Sequence, residues 1–247
     1  MGAGKAYKGM AMEGRIATWY ARNTGQGLRL RWFITVGQAL ASRVRPGGRV
    51  LEVAPGPGYL AIEIAKSGCH SVTGLDISES FVRIAREHAK KAGVAVDFRH
   101  GNASAMPFPD ASFDFVVCAA AFKNFSDPIG ALNEIHRVLK PGGQASIYDL
   151  RKDASRAEIA TEVRNMHLSM TNSFLTRWIF RFSLLRRAYT REGVETLVAQ
   201  SRFGTCQLTL DGIGFELQLA RRNEAGYHPS ANPSLRESEA PSNVPVC

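Results

Sequence analysis

Cysteine is scarce in this chain. The four cysteines among 247 residues, Cys69, Cys118, Cys206 and Cys247, are widely spaced and form no CxxC pair. That pattern argues against a disulfide scaffold and against a zinc site, so no metal is expected and a reducing, cytoplasmic setting is. Long apolar runs are missing too: none approaches the roughly 20 residues that span a bilayer. The opening stretch MGAGKAYKGM has no apolar core of the kind a secretory signal needs, so a soluble chain with no transmembrane segment is expected. Acidic residues are also few, 22 Asp and Glu against 31 Lys and Arg, a net charge of +9.

The charge is uneven along the chain. Residues 1–45 carry +7, residues 46–150 carry −1, residues 151–222 carry +5 and residues 223–247 carry −2. A uniformly basic domain would point to nucleic acid. Here the middle is balanced and the excess belongs to the flanks. A chain of this length buries roughly 70–75% of its unfolded surface, so a full core needs no staples.

Alternating short apolar runs and helical patterns occupy that middle. Strands are expected at 49–54, 71–76, 94–99, 113–119 and 144–150, with helices following Gly58, over 79–91 and over 127–140. Such alternation implies parallel βαβ units, an α/β fold of doubly wound, Rossmann-like type. Beyond it, Ser155-Arg-Ala-Glu158 has the form of a capping box opening a helix to about Met170, and Thr190 suits the cap of another. Segments 206–210 and 214–220, joined by Asp211-Gly212, suggest an antiparallel hairpin. The expected units are therefore an N-terminal helical lid (1–45), a ligand-binding core (46–150), a helical lid insertion (151–189), a closing helix and hairpin (190–222) and a disordered tail (223–247).

In a doubly wound sheet, ligands bind beyond the carboxyl ends of the strands where the strand order reverses. The first strand leads there into Glu52-Val-Ala54-Pro-Gly56-Pro-Gly58-Tyr-Leu-Ala61. Gly56-x-Gly58-x-x-Ala61 with Asp76 twenty residues on fits a dinucleotide fingerprint, which would make a nicotinamide-dependent oxidoreductase. Three further motifs favour another ligand: Leu75-Asp76-Ile77-Ser78, then Gly101-Asn102-Ala103 running into Met106-Pro-Phe-Pro-Asp-Ala-Ser-Phe-Asp114, then Arg137-Val-Leu-Lys-Pro-Gly-Gly143.

In this order the motifs resemble the class I S-adenosylmethionine-dependent methyltransferases, and most closely the ubiquinone and menaquinone C-methyltransferase branch. The resemblance covers about residues 49–150, with a looser fit of the terminal hairpin. It implies a mostly parallel seven-stranded sheet and S-adenosyl-L-methionine as cofactor. It also implies a cofactor site drawn from Glu52, Ala54, Gly56, Gly58, Asp76, Ile77, Asn102, Ala103 and Ala119. Glu52 is then placed to attract the ammonium end, Asp76 to accept from the ribose diol, and Ile77 to face the adenine. Asn102 stands where the family usually has Asp, and its carbonyl oxygen still accepts from the adenine amino group. Ala54 replaces the family's usual first glycine; at negative φ an alanine fits there without difficulty.

The acceptor leaves less trace, because in-line displacement at a sulfonium carbon asks mainly for alignment and exclusion of water. In this family the segment after the fourth strand, here Ala119-Ala-Ala-Phe-Lys123-Asn124-Phe125, lies beside the transferring methyl. The His pair often found there is absent, and so is the Asn/Asp-Pro-Pro-Tyr tetrapeptide of amino-methylating enzymes. Lys123 or Asn124 would face the acceptor, and Tyr148 beside Asp149 would orient or deprotonate an acceptor hydroxyl. Tyr20 and His167 complete the set of residues singled out on the acceptor side.

Family members build the acceptor pocket from the two segments that are basic here. In the first, Trp19 and Tyr20 either close over the ligands or pack on an amphipathic helix, the latter being the expectation for Trp19. In the second, Phe174, Trp178 and Phe182 share a helical stripe among Arg177, Arg181, Arg186 and Arg187. Three readings stay open for the stripe: a helix packed on the sheet, a pocket rimmed by arginines for an anionic acceptor, or a surface for peripheral membrane contact. The function expected is methyl transfer to a small-molecule or lipophilic acceptor, in quinone or secondary metabolism. An RNA methyltransferase or RNA-binding protein using the basic flanks is the alternative.

Overall fold

A computed structural model describes residue 8 and residues 12–165 and 185–223. Two helices, α1 (Gly14–Thr24) and α2 (Gly27–Arg43), precede β1 (Arg49–Val53). The chain continues through α3 (Tyr59–Ala65), β2 (Ser71–Asp76), α4 (Glu79–Ala92), β3 (Val96–His100) and β4 (Phe113–Ala119). After a 3₁₀ turn at Phe122–Asn124 come α5 (Pro128–Val138), β5 (Leu139–Leu150) and α6 (Arg156–Asn165). The last elements are α7 (Arg191–Ala199), β6 (Gln207–Asp211) and β7 (Gly214–Ala220).

The seven strands form one sheet in the order β3-β2-β1-β4-β5-β7-β6. The first five are parallel, while β7 runs antiparallel to both β5 and β6. The strand order reverses between β1 and β4, so ligands of such a sheet gather above the carboxyl ends of these two strands. The expected fold class is the one observed.

Both faces of the sheet are covered. On one, Leu40 of α2, Leu60 and Ile64 of α3 and Val82, Ala85 and Ala89 of α4 pack on Val50, Val72, Phe98, Phe115 and Val117. On the other, Leu132 and Ile135 of α5 and Val194 and Val198 of α7 pack on Leu51, Val116, Ile147 and Leu217. Adjacent residues of β1 thus point to opposite faces, as strand pleating requires, and with apolar residues on both sides the strand reads as continuous. Residues of this size, fully buried, contribute roughly 1.5–3 kcal/mol each.

The helix ends follow their cap residues. The Ser78 hydroxyl accepts from Phe81 N at 3.1 Å to open α4, and Gly93, at φ 69°, closes it. Asp127 caps α5 through Gly130 N at 2.8 Å, with Pro128 in the first turn, and Thr190 caps α7 through Gly193 N at 3.0 Å. Ser155 and Glu158 form the reciprocal capping box: Glu158 accepts from Ser155 N at 2.7 Å and Ser155 from Glu158 N at 3.2 Å.

Two expectations change. The helix thought to reach Lys140 stops at Val138, and Pro141-Gly-Gly143 lies inside β5, not before it. The register with β4 slips there, from Phe113 opposite Leu139 to Phe115 opposite Gln144, so the Pro-Gly-Gly is accommodated as a bulge. Trp19 was expected to pack, yet it is 64% exposed, because α1 lies close on Phe81 and Ile84 of α4 through its small residues Ala17 and Ala21. His167, the Phe174-Trp178-Phe182 stripe, the helix beyond Asn165 and the tail from 224 lie outside the described residues.

Candidate functional site

The β1–α3 loop is sharply folded. Gly56 at φ 54° and Gly58 at φ 83° both occupy the left-handed region, and so does Ala54 at φ 55°. The two glycines serve different needs. A Cβ on Gly58 would meet Phe98 Cζ at 2.7 Å and Ala85 Cβ at 2.9 Å, so only glycine lets α3 start this close to the sheet. A Cβ on Gly56 would meet nothing within 4 Å, so the loop leaves an open side there. The φ of Ala54, which decides whether alanine fits there without cost, is positive: its backbone takes the conformation that glycine adopts freely and alanine does at a cost of about 1–2 kcal/mol. The bond from Ala54 N to Leu75 O, 2.8 Å, helps hold it there. Ala120, past the end of β4, is likewise at φ 59° and bound through its N to Tyr148 O at 2.7 Å. Left-handed non-glycine backbone thus occurs at both strand ends flanking the switch point.

Two buried carboxylates brace the loop. Glu52 is 1% exposed and accepts from Ala61 N at 2.7 Å, tying the end of β1 to α3. Burial, and to a lesser degree the charge of Asp76, push its carboxyl up to about 8 against the pull of the Ala61 bond. Asp76, 5% exposed, accepts from Gly56 N and from Ser78 N, each at 2.8 Å, so it joins the glycine loop to the cap of α4. Burial pushes it up to about 6, against those two bonds, and the nearby Glu13 adds to the rise.

Beyond Asp76, the Ile77 side chain is 39% exposed, an apolar surface at the rim of the site. Asn102 is half-buried, and its carbonyl oxygen accepts from Ser104 N at 3.0 Å, leaving one lone pair open. Ala103 packs against the core beside it and Ala119 is buried at the end of β4.

The N-terminal segment closes on this edge. Ser78 Oγ donates to Met12 O at 2.7 Å, Glu13 accepts from Ser80 N at 3.1 Å, and Gly14 N donates to Ser80 Oγ at 2.9 Å. Lys8 N donates to Asn124 O at 2.8 Å and its ammonium to Tyr189 OH at 3.1 Å. Tyr20 lies edge-on to Phe81 with its hydroxyl taken by Arg29, so it packs at the margin of α4. No sequence signal singled out Glu13. Ser78 was legible as a helix cap, though its reach to Met12 was not.

On the acceptor side the structure corrects two expectations. Lys123 is 7% exposed, and its ammonium is 2.6 Å from Asp149 Oδ1 and 2.7 Å from Ala120 O, so it pins the 3₁₀ turn and does not face outward. Asp149 accepts from Lys123 N as well, at 2.8 Å. Tyr148 and Asp149 do not act as a pair, because adjacent residues on a strand point to opposite faces. Tyr148 instead donates to Glu216 at 2.8 Å, beside Trp32, and burial together with Glu216 pushes its phenol up, away from any role as a base. Asn124 is half-buried in the turn, held by its backbone.

An open groove of about 910 Å³ lies at the opposite end of the sheet. Its lining includes Arg49, Ser71, Val96 and Phe113, near the amino ends of the four parallel strands from β1 to β4, so it is separate from the loop just described. Among the described residues, no group of three or more His, Cys, Asp or Glu could hold a metal ion, and no helix is long and apolar enough to cross a membrane.

Known proteins are similar to this chain in sequence over part of its length and in fold. A family model described as "Methyltransferase domain" matches residues 51–147. A demethylmenaquinone methyltransferase of Listeria welshimeri is 43% identical over 112 residues, 43% of this chain and 47% of the relative. A ubiquinone/menaquinone biosynthesis C-methyltransferase of Burkholderia mallei is 37% identical over 129 residues, 51% and 52% of the two chains. The chain therefore spans about half the length of the curated relatives it matches. Among solved structures, a protein of Methanococcus maripaludis titled a putative S-adenosylmethionine-dependent methyltransferase superposes with a TM-score of 0.69. It is 20% identical, over 90% of this chain and 99% of that one. A SAM-dependent methyltransferase of Aquifex aeolicus gives 0.62 at 19% identity, over 82% and 97%. These two likenesses show a common fold, and none of the names supports the RNA alternative. With the glycine loop, the two buried carboxylates and the strand order in place, residues 51–147 of this chain match a methyltransferase domain, carried on the fold of S-adenosylmethionine-dependent methyltransferases.

Proposed function

We propose that this chain transfers a methyl group from S-adenosylmethionine to a small lipophilic acceptor. The observation that carries the reading is the Ala54–Gly58 loop at the β1/β4 switch point, bonded to Asp76 at the end of the next strand. The residues fit that cofactor. It presents an ammonium, a carboxylate, a ribose diol and an adenine but no phosphate, and the site offers carboxylates and small residues. The open side of Gly56 admits a ligand close to the backbone. Each oxygen of Asp76 has one backbone donor and keeps a lone pair for a diol. Ile77 gives the adenine an apolar face, with Asn102 and Ala103 near its edge. Glu52, protonated at neutral pH without ligand, holds the loop through its bond to Ala61, and an ammonium brought beside it would favour its ionised form. Ala54 and Ala119 leave room near the sulfur.

When bound, the sulfonium supplies an already activated methyl carbon. What remains for the chain is alignment and exclusion of water. Asp76 and Glu52 fix the loop from two sides. Lys123 and Asp149 fix the turn that follows β4. The segment Met12–Gly14 covers the start of α4 beside Asp76. The lipophilic acceptor rests on the quinone methyltransferase names of the relatives.

Calorimetry tests the reading. S-adenosylhomocysteine is expected to bind, nicotinamide dinucleotides are not, and Asp76→Asn should weaken binding at least tenfold while the protein stays folded. Dinucleotide binding without S-adenosylhomocysteine binding would overturn the reading in favour of an oxidoreductase.

A further inference from the structure

The two N-terminal helices turn an unusual surface outward. On α1 the buried residues Ala17, Ala21 and Thr24 form one stripe, spaced i, i+4, i+7. Arg15, Trp19 and Arg22 have the same spacing, and at 100° per residue their stripe lies on the opposite side of the helix. All three are exposed, Trp19 at 64%. On α2, Leu28 and Trp32 repeat the i, i+4 spacing, both exposed, with Arg31 exposed next to them. From residue 14 to residue 45 the chain has six arginines and no acidic residue. Arg15, Arg22 and Arg31 have no ion-pair partner among the described residues.

Among the described residues none buries the Trp19 indole, which stands 64% exposed. Burying it in a partner recovers apolar contact, while its N–H still prefers a polar neighbour, a combination met at a lipid headgroup boundary. Unpaired arginines around it complement negative charge. A polynucleotide would also complement the arginines, but the protruding Leu28 and Ile16 offer nothing to a phosphate backbone and much to acyl chains.

We propose that the outer stripes of α1 and α2 form a docking surface for an anionic lipid bilayer, with Trp19 entering the interface and Arg15, Arg22 and Arg31 meeting the headgroups. The surface acts without cofactor or acceptor, so its test is independent of the methyl-transfer reading.

Co-sedimentation of the full chain with phosphatidylcholine vesicles, and with vesicles that also contain phosphatidylglycerol, tests it. The expected result is binding to the anionic vesicles at least tenfold tighter than to the neutral ones, weakening as salt rises. Arg15→Glu with Arg22→Glu should lower that binding at least tenfold and Trp19→Ser severalfold, with circular dichroism and S-adenosylhomocysteine binding unchanged. Equal binding of both vesicles, variants that bind like the parent, or binding of single-stranded RNA in place of vesicles would each overturn the proposal.

Discussion

Glu52→Gln isolates the cost of a buried charge. In the folded chain without ligand, the Glu52 carboxyl is raised from 4.5 to about 8, chiefly by burial. A group raised on folding gives stability that is fully present below its unfolded value and is lost as pH rises through the folded one. At about 1.4 kcal/mol per unit, the whole shift amounts to roughly 4–5 kcal/mol, of which roughly 3 is lost by pH 7. Glutamine keeps an oxygen to accept from Ala61 N and never ionises. The stability difference between variant and parent, from denaturant unfolding at a series of pH values, should be constant below about pH 4.5. It should then grow in favour of the variant by roughly 3 kcal/mol at pH 7 and level off above pH 8. Asp76 and the other titrating groups are common to both proteins, so the difference reports mainly on Glu52. A difference that stays flat or shrinks with pH would refute the reasoning. Should Glu52 also face the cofactor's ammonium, S-adenosylhomocysteine will protect the parent more than the variant, and most at pH 8.

Three further substitutions probe single contacts. Ala54→Val puts a β-branched residue at φ 55° and should cost about 1–2 kcal/mol in chemical denaturation, whereas Ala54→Gly should be tolerated. Lys123→Met strands Asp149 without its cation and should destabilise by about 3–5 kcal/mol; adding Asp149→Asn should recover part of that, as a double-mutant cycle will show. Tyr148→Phe removes one bond to Glu216, so about 1 kcal/mol of stability should go while turnover on any accepted substrate stays within a few fold, since the phenol faces Glu216 and Arg43.

How much of this is legible in the sequence depends on whether the deciding interaction is local. Capping boxes, helix stops and the glycine loop are encoded within a few residues, so Ser155–Glu158, Gly93 and Gly58 could be placed from spacing alone. The mostly parallel seven-stranded sheet followed from the family resemblance together with the βαβ rhythm. The failures share a cause in long-range packing. Tyr148 and Asp149 are neighbours in the chain, yet the pleat sends one to Glu216 and the other to Lys123, the first partner being settled by the register of β7 against β5 and the second by the turn after β4. Lys123 was expected to face the acceptor from its place after the fourth strand; only the return of β5 beside β4 supplies the carboxylate that buries it. Trp19 shows the converse. The pattern of α1 marks an amphipathic helix, but the apolar side that α4 accepts is the narrow one made of alanines, because close helix approach selects small residues and turns the indole outward. An aromatic in an amphipathic helix therefore marks the core only where the partner helix leaves room for a ring. Here the partner leaves none, and the indole must find its apolar neighbour elsewhere.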